Sequence, residues 1–317
     1  MTAGVDAADG VDAADGVAGV DGVDGVDGVA GVDGLVVVRP GPLTTVQDLG
    51  RRGVAHLGVP RAGAVDEPAL RAANRLLGNE PGAAALETTL GGVALRALRP
   101  LLVAVTGAPC PVRVDGRPAA WGAPVPVPAG SVLDVGAATA GVRAYLAVAG
   151  GIAVPPVLGS RSADLLSGLG PAPLSAGDRL PVGPRPPRRA TPELVPLPAP
   201  PGELVLRLRP GPRADWFAPD ALARLARDTY RVSPAANRIA LRTEGPPLVR
   251  ARDGELPSEG MVLGAVQVPP DGLPVVFLAD HPTTGGYPVV GVVPVADLAA
   301  AAQARPGTPL RFTVLPG

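Results

Sequence analysis

Forty-one prolines and 43 glycines are spread through 317 residues, so a residue that ends or bends regular structure is never far away. That spacing disfavours long helices and leaves short strands joined by tight turns, the pattern of a β-barrel or β-sandwich. Apolar runs bounded by Gly, Pro or Asp-Gly read as strands at Leu35–Arg39, Val93–Ala97, Leu101–Thr106, Val112–Val114, Ser131–Val135 and Val142–Ala149. In the second half they recur at Leu204–Arg209, Met261–Val268, Pro274–Ala279 and Pro309–Val314, with Pro269–Gly272 turning one into the next. Helix signals are few. Asp66 as a cap, Pro68 in the first turn and Gly78 as terminator bracket a helix whose strip of Leu70, Leu77 and Asn74 gives the amide a buried partner to find. Shorter helices are expected from Pro219 to Thr229 and from Val295 to Ala304.

Two segments fall outside this pattern. Residues 1–34 repeat Gly-Val-Asp and Asp-Ala-Ala-Asp-Gly units with eight Asp and no Arg. The nine-residue calcium β-roll pattern is missing, so this stretch reads as a disordered acidic tail, or as sequence ahead of a true start near Leu35. Pro181–Gly202 holds nine prolines and reads as a stiff linker. The chain is thereby divided into an N-terminal β domain at 35–180 and a C-terminal one at 203–317.

All 28 basic residues are arginine. Without lysine the chain has no P-loop of the GxxxxGK[ST] type, no Schiff base and no attachment point for biotin. The single cysteine, Cys110, forms no internal disulfide and reads as a small buried apolar residue. No Cys/His spacing suggests zinc, and no metal site is expected. With no leader and no apolar run of membrane-spanning length, the reading is a cytoplasmic protein with no membrane association. Outside the tail the net charge is about +7, which suits an anionic substrate or acidic partner but is too diffuse for nucleic acid.

Chemistry-bearing residues gather in a few loops. Ser258–Pro288 pairs Glu259, Gln267, Asp280, Thr283, Thr284 and Tyr287 with Gly285-Gly286, glycines that permit backbone angles closed to other residues and close ligand approach. Read locally it is equally a plain turn after a strand. Thr44–Gly53 sets Gln47 and Asp48 beside Arg51 and Arg52, an anion-binding arrangement or a solvated turn. Ser160, Arg161 and Asp164 form a third polar loop, and His56 reads as a packed histidine.

Several of these segments together resemble one family. They are Thr44–Asp48 with Gly50, Arg51 and Gly53; Gly58–Pro60 with Gly63, Ala64 and Asp66; Ala73-Asn74 with Leu76 and Gly78-Asn79; Leu86-Glu87; Ser258–Gly260; Gly264-Ala265 with Gln267–Pro269; and Thr283–Pro288. In that order they are similar to the carboxyltransferase-like proteins that include the C subunit of ATP-hydrolysing 5-oxoprolinase, the second subunit of allophanate hydrolase and the carboxyltransferase part of urea carboxylase. The sequence departs from that family's usual pattern at Ala163, Pro171–Leu174, Ala236, Ala240 and Pro282.

The resemblance implies a mainly β protein with a few short helices and two cyclophilin-like β-barrel domains, working with subunits A and B of 5-oxoprolinase. The implied activity is the opening of 5-oxo-L-proline to L-glutamate with ATP hydrolysis, the ATP and its Mg²⁺ sitting on this chain or its partner. Biotin-dependent carboxyl transfer to urea or a similar amide, with a separate carrier, is the second implied activity. A non-enzymatic binding protein that antagonises a kinase inhibitor is the third. Lactam opening needs donors for the substrate carboxylate and cations for developing phosphate charge. By residue type Asp48, Glu259 and Asp280 are the candidate catalytic carboxylates. Gln47, Arg51, Arg52, Asn74, Gln267, Thr283, Thr284, Gly285, Gly286 and Tyr287 are the candidate substrate-binding residues.

Overall fold

A computed structural model of the protein describes residues 32–187, 194–196, 202–254 and 256–316. Residues 1–31 of the acidic repeat and much of the Pro-rich linker lie outside the described residues. Both boundaries drawn from composition need adjustment. The first strand, β1, runs Val32–Arg39 and so takes in three residues assigned to the tail. The last strand of the first half, Arg179–Val182, pairs with β1 and crosses the boundary placed at residue 180.

After β1 the first half runs β2 (Thr44–Gln47), α1 (Glu67–Leu77), β3 (Ala85–Thr89), β4 (Ala94–Ala97), β5 (Leu101–Gly107), β6 (Val112–Val114), β7 (Arg117–Ala119), β8 (Val125–Val127), β9 (Val132–Val135), β10 (Arg143–Val148) and β11 (Arg179–Val182). These strands form two sheets, ordered β11-β1-β4-β9-β6-β7 and β2-β3-β10-β5-β8, that enclose one core. β10 shows how the layers arise. All six of its residues are buried: Ala144, Leu146 and Val148 point into the core between the sheets, while Tyr145 and Ala147 point the other way, onto α1. α1 packs there through Leu70, Ala73, Leu76 and Leu77.

The local chemistry of α1 is as its sequence suggests. Asp66 Oδ1 accepts from Ala69 N at 3.1 Å, and Gly78 ends the helix in the left-handed conformation, φ 73°. Asn74 is fully buried. Its Nδ2 donates to Ala83 O at 2.8 Å and its Oδ1 accepts from Asn79, which ties the helix end to the loop before β3.

The second half comprises β12 (Leu204–Pro210), α2 (Ala221–Arg227), β13 (Tyr230–Val232), β14 (Ala240–Glu244), β15 (Glu259–Gly260), β16 (Ala265–Gln267), β17 (Val275–Phe277), β18 (Thr284–Gly285), β19 (Val289–Val292), α3 (Val295–Ala302) and β20 (Pro309–Val314). Seven strands close into a barrel, β12-β19-β16-β17-β14-β13-β20, sealed by a parallel pairing of β12 with β20 from Leu204↔Leu310 to Leu208↔Val314. Alternation along β12 puts Leu204, Leu206 and Leu208 inside, where Tyr230 and Phe312 meet edge to face. β16 and β17 pair antiparallel around the Pro269–Gly272 turn, although each is only three residues long. Among the described residues no helix is long and apolar enough to cross a membrane.

Two local expectations fail. Thr44–Gln47 is a buried strand rather than part of a loop, because β2 pairs with β3 and is covered by Ala163 and Leu174. His56 is exposed, since the short 3-10 turn Ala55–Leu57 that carries it buries no residue. Cys110 is buried as expected, and burial pushes its thiol up to about 11.

Candidate functional site

The candidate residues fall into three connected groups. The first is a clasp around Asp48 at the end of β2. Oδ1 accepts from Gly50 N (2.8 Å), Ser160 Oγ (2.6 Å) and Ser162 Oγ (2.6 Å), and Oδ2 accepts from Arg161 N (2.6 Å). This carboxylate therefore fastens the Ser160–Ser162 loop to β2. Beside it Arg51, only 2% exposed, donates through Nε to Val157 O and through Nη2 to Ser162 O. Gln47 donates to Thr45 Oγ1 and Ala163 O. Arg51 Nη1 and Gln47 Oε1 are buried without a partner among the described residues. Arg161 donates to Val154 O, and Arg52 stands 67% exposed, 4.0 Å from Glu67.

Because every hydrogen bond to the Asp48 carboxylate is a donation toward it, Asp48→Asn places an amide N–H against a donor whichever way the amide is turned. We expect a loss of roughly 2 kcal/mol in urea unfolding, within the range for a buried donor left unsatisfied.

The second group is a buried ionic network in the seam between the halves. Arg238, from the second half, grips Asp280 with two bonds of 2.9 Å each, Nε to Oδ2 and Nη2 to Oδ1. The same guanidinium crosses the seam to Glu87 Oε1 and donates to Gly63 O at 2.7 Å. Tyr145 Oη donates to Glu87 Oε2 (2.7 Å) and accepts from Asp66 N (2.8 Å), and Arg143 Nε lies 3.7 Å from Glu87. Gln303, just past α3, bridges to Asp66 Oδ2 and to the backbone of Val142 and Arg143.

Electrostatics follow from this geometry. Burial alone would raise Glu87, but Arg238, Arg143 and the Tyr145 hydroxyl hold its carboxyl below the usual range. For Asp280 burial wins over the Arg238 fork, and its carboxyl is raised. Burial likewise raises Asp66 and lowers Arg143. Arg238 is raised, because Glu87 and Asp280 together outweigh its own desolvation.

The third group is reached within four residues of Asp280. There β18 pairs with β15 in a two-stranded ribbon, Glu259↔Gly285 and Gly260↔Thr284. Met261 N donates to Thr283 O, and Leu256 N donates to Gly286 O. Neither Gly285 nor Gly286 adopts the left-handed backbone, contrary to the reading of these glycines as relief for forbidden angles. Their role is close approach: a Cβ on Gly285 would lie 2.8 Å from Gln267 Nε2, and one on Gly286 would lie 3.0 Å from Leu256 O. Gln267 underlies the ribbon and donates to Tyr287 O at 3.1 Å. Thr284 is exposed, while Thr283 and Tyr287 are half-buried. Glu259 is held by Arg213, whose Nε donates to Oε2 at 3.1 Å.

Asp280, Thr283, Thr284, Gly285, Gly286, Tyr287, Glu259 and Gln267 thus come together along the seam and ribbon. Gln47, Asp48 and Arg51 form the clasp, and Asn74 sits apart, under α1. Residue-type reasoning misses Arg238, which holds Asp280, and Glu87, Tyr145 and Arg143, which gather around the second carboxylate of that guanidinium, and it misses His281. The available signal is a single charged residue at the end of or inside an apolar run: Glu87 follows Ala83–Leu86, and Arg143 lies between Val142 and Ala144. Among the described residues no group of three or more His, Cys, Asp or Glu is placed to hold a metal ion.

A family model described as "Carboxyltransferase domain, subdomain A and B" matches residues 57–314. The chain is 40% identical over 281 residues to the C subunit of 5-oxoprolinase from Escherichia coli, covering 88% of this chain and 90% of the relative. Among solved structures it resembles the protein TTHA0988 (TM-score 0.81, 41% identity), covering 89% of this chain and 56% of that one. It also resembles the K. lactis urea amidolyase (TM-score 0.83, 31% identity), covering 90% of this chain but only 19% of that one. The chain thus spans a little over half of one solved relative and about a fifth of the other. With the model match running through both halves and the seam between them, the chain belongs to the carboxyltransferase-domain family, subdomains A and B.

Proposed function

We propose that this chain is the C subunit of a multi-component, ATP-dependent 5-oxoprolinase and helps convert 5-oxo-L-proline to L-glutamate. The observation that carries this reading is the 40% identity to the C subunit of 5-oxoprolinase from Escherichia coli, over 88% of this chain and 90% of that relative. A lactam resists water because its carbonyl is a weak electrophile and its nitrogen leaves poorly. ATP removes that resistance by phosphorylating the amide oxygen. In support of this reading, the ribbon carries hydroxyl donors suited to the substrate carboxylate, on the half-buried Thr283 and Tyr287 and the exposed Thr284, a few residues from Asp280 and its Arg238 fork. The lysine-free chain has no GxxxxGK[ST] loop, and we assign ATP and its Mg²⁺ to the assembled enzyme, with subunits A and B as the partners.

Carboxyl transfer is the second reading, favoured by the family description and by the likeness to urea amidolyase. With no lysine, this chain would receive the carboxyl group from a carrier elsewhere.

Co-expression with the matching subunits A and B decides between the two. ATP consumption that requires both 5-oxo-L-proline and this chain is the expected result. A stable complex that ignores 5-oxoproline but consumes ATP with urea and a biotinylated carrier would replace the first reading with the second.

A further inference from the structure

The chain has two histidines, and only one is built into the core. His281 is 7% exposed and sits between Asp280 of the seam and Thr283 of the ribbon. Its placement is over-determined. The backbone N of Asp280 donates to Arg238 O, and that of His281 donates to Leu278 O, so both residues are anchored. The imidazole stacks on Phe277 with ring centroids 6.1 Å apart and planes inclined by 27°. Nδ1 lies 2.8 Å from Pro282 O.

That last contact settles the tautomer. A carbonyl oxygen only accepts, so Nδ1 carries the proton and Nε2 carries the lone pair. Burial lowers the pKa of this imidazole and the Arg61 charge acts in the same direction, outweighing the Pro282 carbonyl, which raises it, so the neutral form prevails at neutral pH. Nε2 has no partner among the described residues, yet it is not one of the sealed, unpartnered nitrogens of the interior. An acceptor without a partner among the described residues thus sits on a largely buried ring, directly before the loop that carries the hydroxyls of Thr283, Thr284 and Tyr287.

We propose that His281 Nε2 is the specificity-determining acceptor of this site, taking a hydrogen bond from the N–H of a small amide ligand. It rests on the reading of the seam and ribbon as the substrate end, and for 5-oxo-L-proline the donor is the lactam N–H. His281 then selects for an amide over the corresponding ester. Pro282, which departs from the family's usual residue, supplies the carbonyl that fixes the ring.

Two measurements test this. In the full chain, ¹⁵N-labelled at histidine, the imidazole spectrum contains only His281 and the exposed His56, so the signals separate readily. The expected result is a bare Nε2 and a protonated Nδ1 at His281; a protonated Nε2 overturns the proposal outright. In the complex with both partners, 5-oxo-L-proline should shift the His281 Nε2 signal, whereas its γ-lactone analogue, which has no N–H, should not. His281→Phe should raise KM for 5-oxo-L-proline about tenfold while kcat changes less than about twofold, the mark of lost ground-state binding. His281→Gln, which returns an acceptor near Nε2, should recover part of that loss. An unchanged KM in His281→Phe, or equal Nε2 shifts with lactam and lactone, refutes the acceptor role. If the complex ignores 5-oxoproline altogether, the functional reading fails alone. The tautomer and the Nε2 response to urea, which has N–H groups, then decide the fate of the acceptor.

Discussion

Arg238→Ala is expected to cost roughly 3–5 kcal/mol, the scale for removing one partner from a buried ion pair. The guanidinium is the common cation of two carboxylates, Asp280 at 0% and Glu87 at 1% exposure, and it holds Gly63 O as well. Its loss leaves two buried acids facing each other across the seam. Urea unfolding should show either a large drop in midpoint or two transitions as the halves separate. Arg238→Lys should rescue little, because an ammonium cannot span both oxygens of Asp280 and still reach Glu87. Replacing Arg238 and Asp280 together by apolar residues should restore part of the stability, because Glu87 keeps Tyr145, Val65 N and Arg143 as partners, and this separates the cost of orphaned Asp280 from the worth of its pair. Arg311→Ala, at an exposed pair with Glu203, should cost less than about 1 kcal/mol. An equally small loss at Arg238 would mean that the seam does not depend on its shared cation.

Gly285→Ala should have the opposite profile, a large effect on activity with little on stability. The backbone at Gly285 is open to any residue, so alanine is not strained there. Its Cβ would instead meet Gln267 Nε2 at 2.8 Å and Met261 at 3.4 Å, pushing Gln267 off Tyr287 O and lifting the loop. A displacement near 1 Å at a binding loop is worth on the order of 10²-fold, and kcat/KM of the assembled enzyme should fall by about that much. Gly260→Ala is the control. It lies directly opposite Thr284 in the same ribbon, but its Cβ points into open space. Equal losses from both variants would mean that the ribbon is merely fragile.

Much of this molecule is legible in its sequence because short-range rules govern it. The α1 cap at Asp66, the stop at Gly78 and the buried partner of Asn74 follow from local chemistry, and so does the Pro269–Gly272 turn between β16 and β17. What stays hidden depends on long-range pairing. Gln47 and Asp48 resemble loop residues, and they become interior ones only because β3 and the Ser160–Ala163 segment close over them. Arg238 carries no local sign that it will cross to Glu87, 151 positions away. Gly285 and Gly286 stand out in the sequence for backbone angles that they do not use, while what crowds them, the protein's own Gln267 amide and Leu256 carbonyl, comes from residues distant in the chain. The residues of the ribbon are identifiable by type, but their connection to the seam is not visible before the chain is folded.

The order in which the ribosome delivers this chain bears on how the halves mature. β20 lies between β12 and β13 in the barrel, so the second half has no closed form until Val314 has been synthesised. The first half also waits, because Gln303 completes the hydrogen bonds of Asp66, Val142 and Arg143. A nascent chain halted after β11 therefore carries Glu87 and Tyr145 with no Arg238 to meet them. Completion of both halves thus depends on the last stretch to emerge, Gln303 for the first and β20 for the second.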